Sequence, residues 1–160
     1  MIGRRTAVRI GVSSALVTLA GCSFSFGASG PDDSQFGLSN LVFAASEPSG
    51  YMEYEAQPDA TYDRNDRIWV YLNVDGIGSE KNDDGTKEVW ITEHLTVRDP
   101  QGDVLLDEEV VNDHRNWESD ADLGKFYLSN DITLPAEASP GEYTVDITVE
   151  DKIAEKTATI

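Results

Sequence analysis

Few residues in this 160-residue chain are of the types that do covalent chemistry. One cysteine, Cys22, and two histidines, His94 and His114, are its only thiol and imidazoles. Cys22 has no second cysteine to pair with, and it follows an apolar run in a Ser/Gly-rich stretch that offers no core to bury it. Neither histidine accompanies a Gly-x-Ser-x-Gly elbow or a comparable nucleophile signature. A serine triad on either would need its nucleophile supplied by the fold. Asp120-Ala121-Asp122-Leu123-Gly124 is a fragment of a calcium-loop spacing, and Asn82-Asp83-Asp84-Gly85 puts oxygens in a turn. Neither has the full run of alternating oxygen ligands closed by a distant Glu. His114 beside Asp113 suggests a transition metal only weakly, because no ligand spacing links it to His94. In a chain with 30 Asp+Glu, such clusters arise from composition alone. No catalytic residue, metal site or cofactor is assigned, and the chain reads as a non-enzyme.

Aromatic side chains give the better lead. In 67–74, Ile68, Val70, Leu72 and Val74 alternate with Trp69 and Tyr71, so an inward aliphatic face would leave both aromatics outward. In 89–98 an inward Val89, Ile91, Leu95 and Val97 would turn Trp90 and His94 outward. Glu93 would then point into the core, and that misfit predicts a bulge in the strand. Trp69, Tyr71 and Trp90 together would form a contact surface for a partner, since exposed apolar patches mark interaction sites and Trp and Tyr are enriched there. The competing reading is that a loop, the first strands or a Lys/Arg stem covers them.

The elements that position these residues are short β-branched and aromatic runs punctuated by Gly, Pro, Asn and Asp. Strands are expected at 38–44, 50–56, 67–74, 89–98, 104–111, 124–134, 141–150 and 155–160. Turns are expected at Asn82-Asp83-Asp84-Gly85 and Asp99-Pro100-Gln101-Gly102. Asn130 interrupts the phase of Phe126, Leu128, Ile132 and Leu134. The cleanest alternation is Tyr143, Val145, Ile147 and Val149 against Glu142, Thr144, Asp146, Thr148 and Glu150, one buried and one wet face. The polar segment 112–124 reads as a long loop. No stretch keeps a helical period over ten residues. The expectation is all-β: one antiparallel sandwich of seven or eight strands at 37–160, large enough for a single core.

The first 21 residues read differently. Arg4, Arg5 and Arg9 precede an apolar run from Ile10 to Ala20, with no acid among them. A basic start, a short apolar run and small residues before a cut are the marks of an export signal. The run is too short for a transmembrane helix, which needs ~20 residues. Gly3-Arg4-Arg5-Thr6-Ala7-Val8-Arg9 resembles a twin-arginine signal. Leu19-Ala20-Gly21-Cys22 resembles the lipobox of bacterial and archaeal lipoproteins. That resemblance implies cleavage between Gly21 and Cys22 and lipid on Cys22, which would hold the protein on the outer side of the cell membrane. Residues 22–36 then form a Gly/Ser-rich tether, whose flexible part would span ~20 Å.

Charge narrows the partners. Loss of three arginines with the leader takes the formal net charge from −18 to −21. Such a surface repels nucleic acid and anionic lipid, which both select basic groups. The acids are spread over the whole mature chain, and their repulsion is screened only in salt, where the Debye length falls to ~3 Å at ~1 M. Together with the signal, this resembles secreted proteins of halophilic archaea.

A second resemblance concerns the domain. Val97-Arg98-Asp99-Pro100-Gln101-Gly102, Phe126-Tyr127-Leu128 and Pro140-Gly141-Glu142-Tyr143-Thr144-Val145 look like landmarks of immunoglobulin-like and macroglobulin-type extracellular sandwiches. The resemblance implies a tyrosine corner at Tyr143, whose hydroxyl would bond back to nearby backbone, with Val145 buried two residues on. These folds host many activities. The expected function is therefore a lipid-anchored, extracytoplasmic, non-catalytic binding or accessory module contacting an envelope protein or glycan. The alternative is capture of a small ligand or metal for a transporter.

Overall fold

The computed structural model describes residues 35–63 and 65–160, together with the backbone of 7–11. Arg4, Arg5, the expected cut between Gly21 and Cys22, and the tether up to residue 34 lie outside the described residues.

The chain is an all-β sandwich. Its strands are β1 (Ala7–Gly11), β2 (Gly37–Ala44), β3 (Thr61–Asp63), β4 (Ile68–Asp75), β5 (Glu80–Lys81), β6 (Lys87–Arg98), β7 (Val104–Trp117), β8 (Tyr127–Ile132), β9 (Glu142–Asp151) and β10 (Lys156–Thr159). One sheet runs β2-β4-β8. In the other, β10 pairs β9, β9 pairs β6, and β6 pairs β7, with the short β1, β3 and β5 at its margins. With β2 as strand A, the sheets are A-B-E against G-F-C-C′, the immunoglobulin-like order. Each long-strand pair is antiparallel. β1, within the expected leader, pairs antiparallel with β3 and parallel with Glu142–Thr144 at the start of β9.

Alternation places the core where period two requires. Ile68, Val70, Leu72 and Val74 of β4 face Val89, Ile91, Leu95 and Val97 of β6 and Tyr143, Val145, Ile147 and Val149 of β9, all at most 2% exposed. Phe36, expected as the last tether residue, is buried in this core, so the domain begins one residue earlier.

The hydroxyl of Tyr143 donates to the Ser139 carbonyl at 2.6 Å, closing the corner before β9, and Val145 is buried. In the β6–β7 hairpin, Asp99 Oδ1 accepts from the amides of Gln101 and Asp103, and Gly102 takes φ +90°, a conformation open to glycine.

Three expectations fail. Residues 50–56 are not a strand: 45–57 fold back as a loop, with Ala45 N–H donating to Glu55 O and Gln57 N–H to Phe43 O. Residues 112–117, expected in a loop, extend β7 along β6, from Thr92↔Asn112 to Lys87↔Trp117. β6 itself does not bulge at Glu93, which continues the inward series and is fully buried. The extra residue is Val110 on β7, between the pairs Glu93↔Val111 and His94↔Glu109. Bulges of this kind are common on sheet edges, and β7 is an edge.

Candidate functional site

The three expected contact aromatics do not share a surface. Trp69 and Tyr71 lie on β4 of the three-stranded sheet and Trp90 on β6 of the other, each alternating with core residues, so Trp90 faces the opposite side of the sandwich. Tyr71 is also fully buried. The 45–57 loop closes over it. Met52 N–H donates to its hydroxyl at 2.9 Å, and that hydroxyl donates to Asn73 Oδ1 at 2.6 Å. Its ring lies 4.6 Å from Tyr54 and 5.4 Å, nearly parallel, from Tyr127. Burial pushes the Tyr71 phenol up. Tyr71 is the keystone of a tyrosine cluster rather than a contact residue.

Trp69 remains accessible and stands in a concave setting. It lines a cleft of about 550 Å³ with Arg67, Asp66, Gln57, Tyr62, Ala45, Ser46 and Glu47. The Arg67 guanidinium lies 5.7 Å from the Trp69 ring centroid, within reach of a cation–π contact, and its Nε is 3.3 Å from Asp131. Tyr62 forms a fixed wall. Its hydroxyl donates to the Ala44 carbonyl at 2.9 Å, and burial pushes its phenol up to about 12. The Gln57 amide is held by the Thr61 carbonyl at 2.6 Å. An indole, a guanidinium and carboxylates on one rim can grip a polar ligand with flat apolar patches. Nothing in this set is arranged to activate a nucleophile.

Trp90 belongs to a different ensemble on the outer face of β6 and β7. Its ring stacks on His114 at 4.6 Å, and its indole N–H donates to Asn112 Oδ1 at 3.0 Å. His114 Nε2 lies 2.6 Å from Glu88 Oε1, and His94 Nε2 lies 2.6 Å from Asp107 Oδ1. The His94 ring, followed by Thr96, holds the Asp107 carboxyl below its usual range. Each imidazole is thus partnered by a carboxylate across the hairpin. Four strand positions separate Trp90, opposite His114, from His94, so the two histidines do not form one centre.

Among the described residues, no group of three or more His, Cys, Asp or Glu is placed to hold a metal. The acidic clusters are used locally. Asp122 Oδ1 accepts from Gly124 N–H and its other oxygen lies 3.3 Å from Lys125 Nζ, while Asp84 Oδ1 takes the Thr86 amide and hydroxyl. No helix among the described residues is long and apolar enough to cross a membrane.

Two features escaped the sequence reading. The Trp69 cleft depends on Tyr62 and Gln57, which only the fold of 45–63 brings beside Arg67 and β4. The second is a groove of about 370 Å³ between β7 and β8, lined in part by Trp117, Arg115 and Lys125. No protein-family model matches this chain, and no curated protein or solved structure is significantly similar to it.

Proposed function

We propose that this chain is a lipid-anchored envelope protein whose sandwich binds a partner without chemistry of its own. The observation that carries the binding reading is the cleft beside Trp69, where an accessible indole and Arg67 share a concave rim. The Leu19-Ala20-Gly21-Cys22 junction supports attachment through Cys22 after export, and Arg4-Arg5 supports the twin-arginine route. The acidic composition supports a saline exterior and a partner that is not nucleic acid. An envelope protein or a glycan fits an aromatic and guanidinium rim, since both offer flat faces for stacking and acceptors for hydrogen bonds.

The test is affinity capture of the full-length protein from native membranes in multimolar salt. A stoichiometric partner is expected with the parent chain and lost with Trp69→Ala or Arg67→Ala. The Cys22→Ser chain should leave the membrane fraction. A partner retained by both rim variants rejects the cleft, and a Cys22→Ser chain still on the membrane rejects the anchor.

The same concavity favours small-ligand capture as a second reading. A melting temperature that rises with a sugar or peptide, with no protein partner captured, would select it.

A further inference from the structure

We propose that the groove between β7 and β8 receives an extended peptide segment of another protein. The segment adds to the three-stranded sheet as a fourth strand and presents a carboxylate to Arg115 and Lys125.

The two sheets are unequal on this side. Asn130 of β8 reaches Glu93 of β6, so β8 lies opposite β6, and among the described residues no strand of its sheet lies opposite β7. The inner face of β7 follows from register: Val111, Asp113 and Arg115 pair with Glu93, Ile91 and Val89, all three fully buried. Asp113 and Arg115 therefore point to the core side, where the described strands of the facing sheet end and the groove opens.

The edge of β8 along this groove is available for pairing. β8 bonds to β4 alone among the described strands. Val74 N–H donates to Phe126 O, which makes Val74 and Phe126 a hydrogen-bonded pair. Antiparallel pairs alternate between bonded and non-bonded, so Leu72↔Leu128 and Val70↔Asn130 are bonded. Tyr127, Ser129 and Asp131 then turn their N–H and C=O groups away from β4, at the two-residue repeat of a strand, ~6.7 Å. That is the hydrogen-bonding pattern that strand addition uses.

Two observations define the occupant. Among the described residues the indole Nε1 of Trp117, which lines the groove, is buried without a hydrogen-bond partner. The charged lining is Arg115, Lys125 and Asp113, one positive charge in excess on a chain of formal net charge −18. Arg115 pairs with Asp113 at 2.9 Å and also caps the Trp117 ring at 4.4 Å, while Lys125 pairs with Asp122. Both cations are more than half exposed, so a carboxylate arriving with a strand can share them. The site is separate from the Trp69 cleft, so either can fail alone.

The test is selection of a randomised hexapeptide library on the full-length protein, followed by titration of the best peptide. Enriched peptides are expected to alternate β-branched or aromatic residues with polar ones and to carry an Asp or Glu. Replacing that acid by its amide, or Arg115→Ala, should weaken binding about tenfold. Trp117→Phe should weaken it severalfold while leaving the melting temperature unchanged or higher, because the buried donor is gone. Ser129→Pro should abolish it. That amide faces the open edge, so the β4–β8 ladder survives, as an unchanged circular-dichroism spectrum would show. Failure to enrich, enrichment without an acid, or binding indifferent to Arg115→Ala and Ser129→Pro overturns the proposal. A dimer in sedimentation that Ser129→Pro dissolves also overturns it, by giving the edge to a second copy.

Discussion

Glu93 and Asn130 meet across the middle of the sandwich, the Asn130 amide nitrogen 2.8 Å from each carboxylate oxygen. Each occupies a position that alternation assigns to the core, one on β6 and one on β8, and the two odd residues satisfy each other. The match is incomplete, because one neutral amide cannot replace the water lost by a carboxylate. Burial pushes the Glu93 carboxyl up to about 7, against a smaller lowering by Asn130.

The sign of the resulting pH dependence is opposite to that of a salt-bridged acid. Between pH 4.5 and about 7 the unfolded chain has lost this proton while the folded chain keeps it. Folding is therefore weakened as pH rises through that window, by on the order of 3 kcal/mol, and levels off above it. Glu93→Gln keeps an acceptor for Asn130 and removes the titration. Urea unfolding of both proteins in high salt should agree near pH 4.5 and diverge by about 3 kcal/mol at pH 8, the variant being more stable. A parallel pair of curves would show that Glu93 ionises freely in the fold.

Trp69 and Tyr71 are two residues apart but should respond differently to the same change. Tyr71→Ser removes the centre of a packed cluster and should destabilise the domain by about 3–5 kcal/mol. Trp69→Ser should cost less, about 1–2 kcal/mol, because its ring is partly exposed beside an open cleft. Thermal melts of the two variants check this. Equal losses would mean that Trp69 is a packing residue.

Asp151 closes the far end of β9. It is fully buried and accepts from Gly78 N–H at 2.6 Å and from the amides of Ile153 and Ala154 at 3.0 and 2.9 Å. Asp151→Ala leaves three backbone donors unpaired and should lower stability by about 3 kcal/mol. Asp151→Asn, which still offers one oxygen, should lose less. Gly78 belongs to the same closure, since a Cβ there would stand 2.7 Å from that of Ala154.

A chain cut before Cys22 loses β1, which pairs with Thr61–Asp63 and Glu142–Thr144 over three residues each. Residues 22–160 should fold to the same sandwich, with faster amide exchange confined to those two segments. Hydrogen exchange on the two chain lengths measures this. Failure of the shorter chain to fold would reject residues 1–21 as a removable leader.

The strands that face the opposite sheet were legible because burial on one side imposes alternation. Ile68 to Val74 and Tyr143 to Val149 carry it cleanly, and Tyr143 itself marks the corner. Legibility ends where coverage is decided by distant chain. Tyr71 has the position of an outward residue, and only the return of 45–57 buries it. Residues 112–117 read as a loop because Asp113 and Arg115 face a gap instead of a core, so no apolar period announces the strand. Glu93 suggested a bulge because one strand alone does not reveal that Asn130 waits opposite. Neither the Trp69 cleft nor the Trp117 groove is contiguous in sequence.

β7 is fourteen residues of edge strand, long enough to template pairing with another copy. Asp107, Glu108 and Glu109 put like charge along that edge, a repulsion that opposes pairing in dilute buffer and fades in concentrated salt, where the screening length is a few ångströms. What salt cannot screen is shape. The extra residue at Val110 breaks the run near its middle, so a copy aligned with one half of β7 is out of step with the other. The bulge thus gives this edge a geometric guard against self-association that persists when its electrostatic one is switched off.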